Sequence, residues 1–131
     1  MLSMFWDDTH HALAESAQRW VDRHITPHAA RWEEEGCFDR SLYRAAGEAG
    51  LLGVTYPEQY GGAGGDMLHG LIVGEALVRG GSVGTAMGVG SHAISLPAIL
   101  ALGSEEQKQR WAPAILKLSL IHISEPTRQI R

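Results

Sequence analysis

The sequence contains one cysteine, Cys37, among 131 residues, so no internal disulfide can form and a secreted disulfide framework is excluded. Its net charge is −4 without any basic stripe, which argues against a nucleic-acid partner. The N-terminus lacks the basic region and apolar run of a signal peptide. We see no run approaching the roughly 18 apolar residues of a membrane span. We therefore expect a cytoplasmic protein that binds no nucleic acid and has no membrane span.

The composition is that of an ordinary globular domain. Apolar residues make up 44% of the chain and charged residues 20%, which is too apolar for a disordered segment. A compact chain of this length buries roughly 68% of the surface that its unfolded form exposes, so it is long enough for a core.

Helical spacing of apolar residues recurs along most of the chain, and no segment alternates with a period of two. The pattern predicts an all-α fold, an orthogonal or up-down bundle of about five to six helices. Asp66 is expected to begin a long helix over 67–89 that is central and largely buried. The motif Ser104–Gln107 has the form of a capping box. A glycine-rich loop is predicted over 51–66.

The predicted long helix is rich in glycine. Each of these glycines weakens a helix by about 1 kcal/mol relative to alanine. Their retention indicates close packing or a ligand beside the helix. The residues concerned are Gly74, Gly80, Gly81, Gly84 and Gly88.

Three segments together carry a recognisable pattern: 50–64 (GLLGVTYPEQYGGAG), Ser82–Ala86 with His92 beyond it, and 96–113 with its Gly-Ser-Glu-Glu-Gln-Lys motif. Their order and spacing resemble the N-terminal α-domain of acyl-CoA dehydrogenases over about residues 5–117. We therefore assign 1–117 to such a domain, truncated before the rest of the enzyme. Residues 118–131 depart from the family pattern and resemble translated sequencing-adaptor DNA, so we expect an artefactual or disordered tail.

The resemblance implies a function for the parent enzyme. Members of this family are FAD-dependent oxidoreductases that convert an acyl-CoA to the trans-2-enoyl-CoA. The catalytic glutamate generally lies in the C-terminal domain, and the flavin is held mainly by the middle and C-terminal domains. We accordingly assign no catalytic residue and no FAD contact here, and we expect the fragment alone to be inactive. The implied partners are acyl-CoA, an electron-transferring flavoprotein or similar acceptor, and further copies in a homotetramer.

The resemblance also implies a substrate-binding role for residues at the end of the predicted long helix. These residues would line the acyl pocket: Gly84, Thr85, Gly88, Val89 and His92. Gly84 and Gly88 are four residues apart and share one helix face, where two missing side chains leave a groove. That groove suggests a long or branched acyl chain. Alternatively, the glycines only let another helix approach.

Other interpretations stay open or are set aside. A non-catalytic helical module that binds a partner through an apolar face is the alternative function. His24 and His28 have the spacing of helical metal ligands, but Pro27 lies between them, so no metal site is predicted. The run Glu33–Glu35 is expected to be an exposed face, and Glu75 to have a buried polar role.

Overall fold

The computed structural model describes residues 2–117, and these residues form helices and turns without a strand. The all-α prediction is confirmed. Residues 118–131, the predicted tail, lie outside the described residues. The α-helices are α1 (Asp8–His24), α2 (Ala29–Glu35), α3 (Ser41–Glu48), α4 (Met67–Arg79), α5 (Val83–Val89), α6 (His92–Leu102) and α7 (Glu105–Leu116). Short 3-10 helices cover Leu2–Phe5, Thr26–His28 and Glu58–Tyr60.

Side-chain caps begin several of these helices. The carboxylate of Asp66 accepts the backbone N–H of His69 at the start of α4. The predicted Ser104–Gln107 capping box is present at the start of α7, with both reciprocal hydrogen bonds formed. Each cap satisfies backbone donors that the first helical turn leaves unpaired.

The prediction of one long helix over 67–89 was wrong, because the chain breaks at Gly80–Gly81. Gly81 adopts a left-handed backbone with φ of 90°, which interrupts the helical hydrogen-bond ladder. A Cβ on Gly80 would lie 2.7 Å from Cγ2 of Ile25, so only glycine lets α1 approach the turn. Ser82 then caps α5 by accepting the N–H of Thr85. This break gives the described residues seven α-helices.

The core is a single cluster built around the α1–α4 pair. Val21 of α1 and Ile25, which directly follows α1, are completely buried, as is Leu96 of α6. Burial of such aliphatic side chains is the main source of stability in a domain of this size. The other helices contribute large side chains such as Trp32 and Leu116, together with the smaller Ala46, Val89 and Ala112.

The glycine-rich loop folds back on itself as a set of turns. The backbone N–H groups of Ala63, Gly64 and Gly65 donate to carbonyl oxygens of residues 53, 56 and 54 at 2.7–2.8 Å. The hydroxyl of Tyr60 donates to Glu105 Oε1 at 2.7 Å and ties the loop to α7. Because its backbone groups are paired, the loop is a fixed part of the domain.

The expectation that residues 67–89 are largely buried was also wrong. Helices α4 to α6 carry several exposed apolar side chains: Met67, Leu71, Val78, Val83, Met87, Ile94 and Leu102. Among the described residues, the stretch Val83–Leu102 is long and apolar enough to cross a membrane by length and composition, contrary to our reading of the sequence. It consists of two helices joined at Gly90–Ser91, and Val89 and Leu96 within it belong to the domain core.

Candidate functional site

A cavity of about 190 Å³ lies between the start of α5 and the segment that joins α2 to α3. Aromatic rings form one side and the small residues of α5 form the other. Of the five predicted pocket residues, Gly84, Thr85 and Gly88 line this cavity. The remaining lining residues are Trp32, Glu33, Gly36, Cys37, Phe38 and Ser82.

The two glycines of α5 have different neighbours. A Cβ on Gly88 would lie 2.5 Å from Cε1 of Phe38, so the ring occupies the notch that the glycine leaves. A Cβ on Gly84 would lie 3.6 Å from Glu33 Oε1, which is ordinary contact, and would meet nothing closer. Gly88 therefore permits a close approach, whereas Gly84 leaves open space toward the cavity.

Glu33, which lies in α2, accepts hydrogen bonds from residues at the start of α5. Its Oε1 accepts the hydroxyl of Ser82 at 2.5 Å and the backbone N–H of Gly84 at 3.3 Å. A carboxylate at a helix N-terminus pairs with free N–H groups and is favoured by the helix dipole. The sequence reading placed Glu33 on a solvated face and missed this role, since no local pattern links positions 33 and 82.

We expect Glu33→Ala to lower the free energy of unfolding by about 1 kcal/mol, because a charge-assisted hydrogen bond to a buried hydroxyl is lost. Urea titration followed by circular dichroism measures the change. Glu34→Ala is the matched control, since Glu34 is an exposed neighbour on the same helix. Equal effects of the two substitutions would show that the contact of Glu33 with α5 adds no stability.

The other predicted pocket residues, Val89 and His92, do not line the cavity. Val89 is buried in the core, and His92 lies at the start of α6. Thr85 does border the cavity, and its hydroxyl oxygen lies 2.7 Å from that of Ser82; because Ser82 gives its one hydroxyl proton to Glu33, Thr85 is the donor in this pair. As contacts to a substrate, all five residues stay predictions.

His92 connects α6 to the first residues of the glycine-rich loop. Its Nε2 lies 2.8 Å from the carbonyl oxygen of Leu52, and its Nδ1 lies 3.3 Å from that of Val89. Burial lowers the pKa of His92 below the ordinary 6.5 and outweighs the two carbonyl contacts, which act in the opposite direction. The neutral ring with its proton on Nε2 fits this geometry, because Nε2 is then the donor to Leu52.

This shift predicts a pH dependence of stability. The unfolded chain binds the His92 proton more tightly than the folded chain, so the contribution of His92 to stability is complete above about pH 6.5 and declines below it. We expect His92→Gln, which retains a donor for Leu52, to lose less stability than the parent chain between about pH 7 and about pH 5. Urea unfolding at both pH values measures this difference. Substitution of the exposed His11 by Gln is the control, and an unchanged pH dependence in His92→Gln would contradict the assignment.

A larger concave surface, of about 460 Å³, lies between α1 and α4. It is an open groove whose rims carry two surface ion pairs, Glu15–Arg19 and Glu75–Arg79. Each helix thus pairs opposite charges of its own along the rim, and the carboxylate of Asp22, which also lines the groove, accepts a hydrogen bond from Nε2 of Gln18 at 2.8 Å. The expected buried role of Glu75 was wrong, since its side chain is 56% exposed and pairs with Arg79 at 2.6 Å.

The chain matches the family model described as "Acyl-CoA dehydrogenase, N-terminal domain" over residues 7–119. It is 33% identical to the mitochondrial long-chain specific acyl-CoA dehydrogenase of Sus scrofa over 120 residues, which are 89% of this chain and 28% of that protein. It is 34% identical to the human mitochondrial short-chain specific enzyme, with 91% of this chain and 30% of that protein covered. These nearly equal identities do not distinguish long from short acyl chains.

A solved structure of a Bacillus anthracis acyl-CoA dehydrogenase complexed with FAD has the same fold over this region. The TM-score is 0.75 at 35% identity, and the match covers 86% of this chain and 19% of that one. The chain therefore spans less than a third of the length of these relatives. The match to the family model covers most of the described helices, including both sides of the cavity. On this evidence the chain belongs to the acyl-CoA dehydrogenase family and is an N-terminal domain of that family.

Proposed function

We propose that this domain forms one wall of the acyl-binding slot in a FAD-dependent acyl-CoA dehydrogenase. The observation that carries the proposal is the cavity of about 190 Å³ between α5 and the α2–α3 link. Sites that enclose a whole small-molecule ligand measure about 300–1,000 Å³, so this space suits the end of a hydrocarbon chain better than a complete ligand. The rings of Trp32 and Phe38 supply apolar contact, and Gly84 leaves room beside them.

The described residues can take part in substrate binding, whereas the redox step needs a cofactor. In the proposed reaction, an acyl-CoA loses an α-proton and a β-hydride to become a trans-2-enoyl-CoA. FAD would supply the hydride acceptor. Because relatives hold the flavin mainly in the middle and C-terminal domains, we assign no FAD contact to residues 2–117. The part played by this domain is to position the far end of the substrate and to exclude water from it.

The finer features of the parent enzyme rest on family membership alone. They are an electron-transferring flavoprotein or similar acceptor and a homotetrameric assembly; the proposed cytoplasmic location rests instead on the sequence of the N-terminus. Preference for a long or branched acyl chain belongs to the same proposal. It is supported by the open space at Gly84 and is opposed by the ring of Phe38, which fills the notch at Gly88.

A domain exchange tests the proposal. Residues 7–117 replace the matching segment of the Bacillus anthracis relative, and the purified chimera is assayed for bound flavin and for acyl-CoA oxidation across a series of chain lengths. We expect a yellow protein that oxidises acyl-CoA and whose chain-length profile differs from that of the host. The host with its own domain is the control for flavin loading and turnover.

A non-catalytic helical module is the alternative function, and the exposed apolar side chains of α4 to α6 favour it. Side chains such as Met87 (70% exposed) and Ile94 (81% exposed) suit contact with another protein surface. A chimera that retains full flavin content but lacks turnover on every acyl-CoA would support this alternative.

A further inference from the structure

Two helices in this domain begin with the same unusual capping box. Asp7 and His10 cap α1, and Asp66 and His69 cap α4. In each box the aspartate accepts the histidine N–H, and the histidine Nδ1 accepts the aspartate N–H at 3.1 Å. Glutamate or glutamine ordinarily holds the second position, as Gln107 does in α7. A histidine serves equally well and keeps a second ring nitrogen, Nε2, for another contact.

The two boxes meet in space. The rings of His10 and His69 lie 4.0 Å apart between centroids, with 30° between their planes. Nε2 of His10 lies 3.1 Å from both carboxylate oxygens of Asp66, although the two residues are 56 positions apart. His10 is only 3% exposed, whereas Asp66 borders solvent. One donor atom from each of His10, Asp66 and His69 falls within 4.8 Å of the other two.

We propose that His10, Asp66 and His69 bind a divalent transition-metal ion of the zinc class, which joins the N-termini of α1 and α4. Two imidazole nitrogens and one carboxylate oxygen suit zinc, cobalt or nickel, whereas magnesium and calcium prefer oxygen ligands alone. A water molecule on the exposed side would complete four-coordination. This site is separate from the cavity at α5, and the proposal does not depend on the function of that cavity.

Metal binding determines which ring nitrogen of each histidine carries the proton. Coordination through Nε2 requires each ring to carry its proton on Nδ1. Nδ1 of His10 lies 2.8 Å from Asp7 Oδ1, and Nδ1 of His69 lies 2.8 Å from Asp66 Oδ1. A carboxylate that accepts the second ring proton is the usual support of a metal-bound histidine. The backbone N–H groups of Asp7 and Asp66 then lose their hydrogen bonds to Nδ1, whereas the carboxylates of these two residues still cap α1 and α4.

The site needs a small closing movement. Two donor atoms bonded to one ion at about 2.1 Å are at most about 4 Å from each other. The two donor atoms that lie farthest apart in the structure must therefore move closer together by less than about 1 Å. The ring of His69 is 17% exposed, and its Nε2 lies 3.0 Å from the hydroxyl of Thr9, a contact that the ion would replace. An aspartate carboxylate is ordinarily ionised at neutral pH, as a metal ligand must be.

Metal titration of the full 131-residue chain tests the proposal. We expect one Co²⁺ per chain with the visible absorption of a site containing nitrogen ligands. Zn²⁺ should displace the cobalt and raise the Tm, because an ion that binds only the folded chain stabilises it. In His69→Gln and His10→Gln the capping acceptor is retained, so helix content should persist while the affinity falls about tenfold or more.

Asp66→Asn gives a second, independent variant, since asparagine is as good an N-cap as aspartate but is a poor metal ligand. His24→Gln is the control, because His24 is remote from the site and stacks on Trp20. Absence of stoichiometric binding by the parent chain would overturn the proposal. Binding that survives in His69→Gln and Asp66→Asn, or is lost in His24→Gln, would also overturn it.

Discussion

Replacing Gly62 by alanine is expected to lower the free energy of unfolding by about 3 kcal/mol or more. An added Cβ would fall on the carbonyl carbon and oxygen of Tyr56, far inside van der Waals contact. That oxygen already accepts the N–H of Gly64, so the obstacle is backbone in a paired loop rather than a flexible side chain. The loop would have to open to relieve the overlap. Domains of this size are stable by only about 5–15 kcal/mol, so the loss is large.

Thermal and urea unfolding of the purified chain measure this effect, with Gly74→Ala as the matched control. Gly74 lies within α4, and a Cβ placed there would meet nothing within 4 Å. Alanine is the better helix former, so the control should gain up to about 1 kcal/mol. If the Gly62→Ala chain is as stable as the parent, the backbone at Gly62 does not lie this close to the carbonyl group of Tyr56.

In the chimera, Gly84→Leu is expected to reduce kcat/KM for long acyl-CoAs about 100-fold and to spare the shortest substrates. Gly84 lines the cavity, and a Cβ there would meet only Glu33 Oε1, at an ordinary contact distance of 3.6 Å. A leucine side chain would therefore extend into the cavity. Each methylene of the substrate that loses its buried site forfeits about 0.8 kcal/mol. Displacing three or four methylenes therefore costs about 3 kcal/mol, which corresponds to a factor of about 100 in rate.

Steady-state kinetics over a series of chain lengths tests this prediction. Met87→Leu is the control, because Met87 lies on α5 but is exposed and does not line the cavity. An equal loss on short and long substrates would indicate a general disturbance of the domain. Unchanged activity on every substrate would remove Gly84 from the acyl slot.

Local signals in the sequence account for most of the helix boundaries. The caps at Asp66 and Ser104 are side chains that pair with backbone groups three residues away, so a short window contains the whole interaction. The break at Gly80–Gly81 was missed because the apolar period continues through it. Its cause is a tertiary contact, the approach of Ile25 to Gly80, which the local sequence does not contain.

The contacts that shape the two sites join distant positions. Glu33 reaches Ser82 across 49 residues, and His10 reaches Asp66 across 56. Glutamates in an acidic run and histidines at a helix start are ordinarily solvated, so nothing local sets these apart. Only packing of α1 against α4, and of α2 against α5, brings the partners together. Of the five residues chosen from the resemblance to the family, three border the cavity at α5, and their contact with a substrate stays a prediction.

The left-handed residue Gly81 has a consequence for how the protein can change in evolution. Each residue inserted into a continuous helix rotates everything beyond it by about 100°. Here the ladder stops before α5, and the contacts of Glu33 with Ser82 and Gly84 fix where α5 restarts. An insertion or deletion in α4 would therefore alter the α1–α4 interface without turning Gly84 away from the cavity. The α1–α4 interface and the cavity at α5 can thus diverge separately.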